Sequence, residues 1–453
     1  MVLSRDVRQQ KISSLSKSDS SDQRQKLFYK SETQSFDVFR IDLDWLVFNR
    51  HNGRLEAEML TWEQENTATT DVYDDELHGV LGDLLWKSNV VKNKQTLKDL
   101  AAKKQLKPGI ISLDGVVIDG NRRFMLLRRL EEQTKTKQYF DAIILPDAYA
   151  DNEKEIVRLE TQYQLGEDAK VEYGPLQKYL HARRLNTDLG IPESEIDLLM
   201  GEKPGTAKRL LGIMELMDDY LDHIGCPRLY TMLKDSGGTK EGMFVDLFND
   251  LKRLNSGKAQ VPWSFDPELD PLQLKLIHFD YARFGGTKVD DEFNDPKTLR
   301  VISHNSKGKN FFANEEIWGK FTDTHAKEVS PARAKLGSLE DFIAAHPDNF
   351  DTKVDAARHR DRVWAEEVNA PMQAAFGTAN YELGLQIDKL LPSEYLKRAK
   401  DYLNRIDIQS DAVTDDPSNR NVAVEINSIS YEIKKKFEKL ERRNGSVTEP
   451  NDD

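Results

Sequence analysis

A chain of 453 residues in which 38% of positions are hydrophobic and 32% charged has room for two to four domains, each with a core under a strongly charged surface. No apolar run approaches the roughly 18 residues of a spanning helix and no signal peptide is apparent, so no membrane association and a cytoplasmic location are expected. Cys226 is the only cysteine, which excludes an internal disulfide and a cysteine-based zinc site and suits a reducing compartment.

Residues 1–35, rich in Ser, Lys, Gln and Asp, are expected to form a disordered arm. Residues 77–104 read as helical segments. The most informative stretch is 110–130. Asp114-Gly115 stands between two short apolar runs, the signal for a two-residue hairpin turn, and Asp119-Gly120 supplies a second break just before a helix. The first turn of that helix offers N–H groups at the positive end of its dipole, and Arg122 and Arg123 add forked donors suited to phosphate oxygens. A plainer reading has Asp119 capping the helix and both arginines solvated. Composition favours the anion site: residues 91–138 hold twelve Lys or Arg against five Asp or Glu, in a chain whose net charge is −13.

Apolar residues at 176, 179 and 180 then follow helical spacing, and residues 191–211 read as a short helix, a glycine turn and a second helix. That pattern resembles a helix-turn-helix, with Lys203, Thr206, Lys208 and Arg209 around the start of its second helix, where base edges or phosphates are met. The alternative is a helical pair used for packing, with those cations merely exposed. Glu202, Asp218 and Asp219 restrict any DNA-contacting surface to a small one.

Cys226, between Gly225 and Pro227, reads as structural. Beyond it come a loop at 236–239, a helix at 243–254 and a helix at 272–284 whose aromatic stripe reads as core rather than as a base-stacking surface. An acidic break follows at 290–292. The histidines occur singly, without metal-ligand spacing, and residues 356–362 around His359 are expected to form one solvated charged face. Further helices are expected at 339–345, 353–370 and 394–406, with Pro371, Pro392 and Pro417 as punctuation. Val422, Ile426, Ile429, Ile433, Phe437 and Leu440 form a near-heptad seam over 422–443. Such a seam makes a coiled coil or else docks on the chain's own body. Residues 444–453 are expected to fray.

The order of these features resembles the ParB and sulfiredoxin superfamily. Ile41-Asp42-Leu43-Asp44-Trp45-Leu46-Val47-Phe48 looks like its opening strand, and Asn49-Arg50-His51-Asn52-Gly53-Arg54 like its Asn-Pro-x-Asn-x-Arg turn, with Arg54 matching the last arginine. Residues 106–111 resemble its Gln-Pro step into a strand, Gly120-Asn121-Arg122-Arg123 its Gly-Glu-Arg-Arg, and Leu159-Glu160-Thr161-Gln162-Tyr163-Gln164 falls where relatives carry Glu-Asn-x-x-Arg. The matches span roughly residues 36–220. What they imply, ahead of the mainly helical region over 236–443 and the disordered tail, is an α+β fold with a nucleotide-binding domain over 36–150 and a helix-turn-helix domain over 151–235, and, since such proteins dimerise through a C-terminal element, a homodimer through residues 422–443.

The resemblance further implies that Arg54, Gly120, Asn121, Arg122 and Arg123 hold a nucleoside triphosphate, CTP first among the candidates. Glu160 and Thr161 would serve Mg2+, with Glu160 as the candidate catalytic carboxylate. Asn121 departs from the motif's glutamate, and Thr161 and Gln164 from its asparagine and arginine, which weakens the case for hydrolysis more than the case for binding. A sulfiredoxin would need a cysteine where Asn121 stands. The function so implied is nucleotide-regulated DNA binding, with slow CTPase-like hydrolysis as a reset and with nucleotide and DNA affinities linked. Its alternatives are a phosphotransferase or nuclease using Glu160 in the same pocket, and a nucleotide-independent helix-turn-helix regulator.

Overall fold

The computed structural model describes residues 2–66, 75–165, 174–235, 238–257, 261–289, 292–304, 309–347, 349–408, 410 and 412–445. They form an α+β protein, with a mixed six-stranded sheet and its helices at the N-terminal end and a mainly helical remainder. Contacts group the chain into two units, Met1–Leu383 and Gly384–Asp453.

The sheet contains β1 (Ser20–Tyr29), β2 (Glu32–Asp42), β3 (Val47–Phe48), β4 (Gly109–Ile111), β5 (Val116–Asp119) and β6 (Tyr139–Ile144) in the spatial order β1-β2-β6-β4-β5-β3. Strand pairs β4/β6 and β3/β5 are parallel; β1/β2, β2/β6 and β4/β5 are antiparallel. Successive residues of the central strands serve opposite cores. Ile111, Val117 and Ala142 pack on one face with Phe124 and Phe140, whereas Ile110, Ile118 and Ile143 pack on the other. That is why these strands read as continuous apolar runs rather than as alternating ones. The first face is covered by α3 (Asp75–Ser88), α4 (Val90–Lys103) and α5 (Asn121–Thr134), the second by α6 (Glu153–Leu165), while α1 (Arg5–Ser13) and α2 (Glu56–Glu65) also pack on the first. Packing beside Phe140 is tight: a Cβ on Gly109 would lie 2.3 Å from Phe140 Cζ and 2.8 Å from the Asp119 carbonyl. Gly109→Ala is therefore expected to cost about 1–3 kcal/mol in urea unfolding, because neither the buried ring nor backbone can yield.

The expected hairpin forms, with its turn one residue early. Gly115 N–H donates to the Ser112 carbonyl (3.0 Å) and Ser112 N–H to the Val116 carbonyl (2.9 Å), so the turn centres on Leu113-Asp114 and Gly115 follows at φ +82°. Asp114 is drawn inward as a bracket, accepting from Ser112 Oγ (2.6 Å) and Tyr149 N–H (2.8 Å).

The N-terminal segment is not a disordered arm. Ile12 enters the core, Arg8 is buried with Nε donating to the Asp114 carbonyl (3.0 Å), and β1 pairs along β2. Composition misled because β1 is an edge strand, which tolerates polar residues on its solvent side, and because Arg8 of α1 finds its partners inside.

The remainder comprises α7 (Pro175–Arg183), α8 (Glu193–Leu199), α9 (Thr206–His223), the short strands β7 (Lys234–Asp235) and β8 (Gly238–Thr239), α10 (Glu241–Asn255), α11 (Leu269–Gly285), α12 (Pro296–Ser303), α13 (Glu315–Lys335), α14 (Leu339–Ala345), α15 (Lys353–Leu403), α16 (Ala412–Asp415) and α17 (Pro417–Gly445). The expected loop at 236–239 thus ends in a strand, and residues 236–237, 290–291 and 446–453 lie outside the described residues. The aromatic stripe of α11 is core: Phe279 meets Tyr220 and Phe244, and Tyr281 meets Phe321 and Phe376. Cys226 is buried, and burial pushes its thiol up to about 12, the reverse of an activated thiolate.

Two expectations for the C-terminal half are corrected. Residues 356–362 are not one solvated face, since Arg360 donates to the Ile224 carbonyl and Asp361 pairs with Arg283 (2.7 Å), all beneath the surface. Periodicity alone could not reveal these partners. Nor do Pro371 and Pro392 divide the helices, because α15 runs 51 residues through both. A helix-interior proline costs about 3 kcal/mol. Around Pro371 burial of Trp364, Ala365, Val368, Met372 and Phe376 offsets it; nothing in the structure explains the tolerance of Pro392. In α17 the seam positions Val422, Ile426, Ile429, Phe437 and Leu440 are exposed. No described helix is long and apolar enough to cross a membrane.

Candidate phosphate-binding site

Two asparagines tie the 49–55 loop to the start of α5. Asn121 Oδ1 accepts the Asn49 N–H (3.0 Å), and Asn121 Nδ2 donates to the Val117 carbonyl (2.8 Å). An ionised glutamate at 121 would have no donor for that carbonyl, so a carboxamide suits a buried position that needs both roles. Asn49 and Asn52 then fold the loop through successive Asx turns, accepting the N–H groups of His51 (3.0 Å) and Arg54 (3.1 Å). The folded loop sets Arg54 close to Arg122.

Gly120 precedes α5 at φ +99°, and no side chain caps the helix. A Cβ there would stand 2.9 Å from Phe140 Cζ. Asp119, the cap of the plainer reading, instead pairs with Arg123 (2.9 Å), whose guanidinium also donates to the Lys107 carbonyl. Arg123 is thereby engaged by the protein itself. Arg122 is not: its buried Nε has no hydrogen-bond partner among the described residues, and burial, followed by the nearby charge of Arg54, pushes its pKa down. An unsatisfied buried donor, a second cation and an uncapped helix start together favour an anion. The structure brings Arg54, Gly120 and Arg122 together. It assigns Asn121 to the frame and Arg123 to the segment leading into β4.

Glu160 and Thr161 lie inside α6, and both side chains face protein partners. Glu160 accepts from Asn49 Nδ2 (3.1 Å) and Gln164 Nε2 (3.3 Å), while Thr161 Oγ1 donates to the Val157 carbonyl (2.7 Å) and meets His181 Nε2 (2.8 Å). Burial pushes the Glu160 carboxyl up to about 8 against the opposing pull of Arg184 and Asn49, and burial likewise carries Glu56 up to about 7. Arg184 is the buried cation of this network, donating to Glu153 (2.7 Å) and the Tyr149 hydroxyl (3.0 Å). Among the described residues no three His, Cys, Asp or Glu side chains converge as a metal site. In this structure Glu160 and Thr161 are each engaged by other groups of the protein. Sequence reasoning missed Asn49, Glu56 and Arg184. Asn49 was within reach as a hydrogen-bonding residue of the loop box, whereas Arg184 gave no local signal.

The helix pair α8 and α9 is joined by a turn with Gly201 and Gly205 at positive φ. Asp197 reaches across from α8 and accepts the N–H groups of Gly205 (2.7 Å) and Ala207 (2.6 Å), fixing the start of α9. Asp197→Ala is expected to lower stability by about 1–2 kcal/mol in thermal or urea unfolding, the cost of losing a helix cap. Lys203, Lys208 and Arg209 are exposed without a carboxylate partner among the described residues, and Thr206 is half-buried beside them. The acids that seemed to oppose DNA are neutralised in place: Asp218 by Arg183 (3.0 Å), Asp219 by Lys275 (2.8 Å) and Glu202 by Lys178 (3.4 Å). Compared with protein-family models and with curated proteins, the chain matches none of either.

Proposed function

We propose that this chain is a ParB-like DNA-binding protein regulated by a nucleoside triphosphate, CTP being the first candidate. The observation that carries the reading is Arg122, a cation whose buried Nε has no partner and whose neighbour at the uncapped start of α5 is another cation, Arg54. A chain of phosphate oxygens relieves both arginines and accepts the free N–H groups of the first helical turn. The exposed cations at the start of α9 then supply contacts to a duplex, and the seam of α17 over 422–443 supplies a homodimer contact. Magnesium enters this reading only as the counter-ion of the nucleotide, which commonly keeps most of its waters. Hydrolysis draws no support from Glu160, whose buried carboxyl is held by Asn49 and Gln164.

The test is isothermal titration of the full chain with CTP, ATP and GTP in Mg2+, with and without duplex DNA. Selective binding of one nucleotide, with an affinity that changes when DNA is present, is the expected result. Equal and weak responses to all three, unaffected by DNA, would overturn the reading.

A further inference from the structure

A second basic cleft lies away from α5, among residues to which the proposed nucleotide site assigns no role. It encloses about 400 Å3 and is lined by Lys234, Lys240, Arg283, Lys288, Arg358 and Arg362, with Asp361 as the one acidic lining residue among the described residues. That carboxylate is already spent on Arg283, with which it makes contacts of 2.8 Å to Nε and 2.7 Å to Nη2. The buried Arg283 in turn lies over the Trp364 ring at 4.4 Å, which fixes the floor of the cleft. Lys240 is held over Tyr220 and donates to its hydroxyl (2.9 Å), and Gly286 leaves room for it, since a Cβ there would come within 2.6 Å of Lys240 Nζ.

Lys234 pairs with Glu58 (2.5 Å), which leaves three further cations. Lys288, Arg358 and Arg362 are exposed, and none has an ion pair or hydrogen bond among the described residues. Arg358 and Arg362 stand one helical turn apart on α15, so both face the same side. Like charges gathered in a concave space repel one another, and low-dielectric walls focus their field inward. An anion that shares the space relieves this repulsion.

We propose that this cleft binds the di- or triphosphate group of a small molecule, at a site separate from the one at α5. A cleft of this volume suits a small ligand. Its cations come from β7, the start of α10, the end of α11 and α15, so they surround a compact anion rather than form the stripe that follows a duplex.

The full chain is titrated with tripolyphosphate at 150 mM salt in an Arg122→Ala background, which removes the α5 site from the measurement. One saturable site per chain is expected. Adding Lys288→Gln, Arg358→Gln and Arg362→Gln should weaken it at least thirtyfold while leaving the melting temperature unchanged, because these side chains are exposed and unpaired. CTP and ATP binding more tightly than tripolyphosphate would assign the site to a nucleotide, and equal affinities to the polyphosphate group alone. Failure to saturate in the Arg122→Ala background, or affinity within threefold after the triple substitution, overturns the proposal. So does a duplex oligonucleotide whose binding falls with the triple substitution while tripolyphosphate does not compete. Failure of the α5 reading would show separately, as wild-type stoichiometry that does not fall on Arg122→Ala.

Discussion

Arg122→Ala is expected to weaken binding of Mg2+-loaded nucleoside triphosphate about a hundredfold, corresponding to about 3 kcal/mol, without lowering the stability of the fold. The split follows from what Arg122 does in the free protein. Among the described residues it has no ion pair and its buried Nε no hydrogen-bond partner, and both burial and Arg54 disfavour its charge. Removing it takes away donors a phosphate would use and relieves a cost the unliganded chain bears. Arg123→Ala should behave in the opposite way, since it breaks the Asp119 pair and the contact with the Lys107 carbonyl. It is expected to lower the melting temperature and to alter nucleotide affinity much less. Titration calorimetry and thermal melting of both variants decide the matter. Equal affinity losses in the two would mean that the arginines act as one pair after all.

The second large effect concerns pH. Glu160 has a native pKa near 8 against an ordinary value of 4.5, so the folded chain keeps a proton that the unfolded chain releases. Stability from this group is complete below pH 4.5 and is lost as pH rises through 8, at about 1.4 kcal/mol per pH unit. Glu160→Gln mimics the protonated form and keeps an acceptor for Asn49 Nδ2. The variant should match the wild type near pH 4.5 and exceed it by a few kcal/mol at pH 8.5. Urea unfolding at pH 5, 6.5 and 8.5 measures the difference. Parallel pH profiles for the two proteins would show that Glu160 is already ionised in the native state, which would reopen a metal-binding role for it.

Much of the site's scaffold was legible in the chain. The break at Gly120, the helix from Asn121, the helical pair at 191–211 and the buried aromatics of α11 follow from spacing and turn chemistry, which act over a few residues. What escaped was decided by partners distant in sequence. Asp119 has the composition of a helix cap, yet it pairs with Arg123. Arg360 and Asp361 look like members of a solvated run, yet Ile224 and Arg283 draw them inside. Asn49 stands in a box noticed for Arg54, and its link to Glu160 crosses 111 residues.

The sequence by itself determined, to within a residue at the hairpin turn, where strands, helices and turns fall around 110–130 and 191–211, because hydrophobic period and glycine punctuation are local properties of the chain. It also determined that two arginines begin α5 amid a local surplus of positive charge. Only the tertiary structure decided that Arg122 is free while Arg123 is engaged, that Glu160 and Thr161 face inward, and that six cations from separate elements enclose a second cleft. The physical reason is that ionisation, burial and pairing depend on the whole three-dimensional surroundings of a group, which no window of neighbouring residues contains.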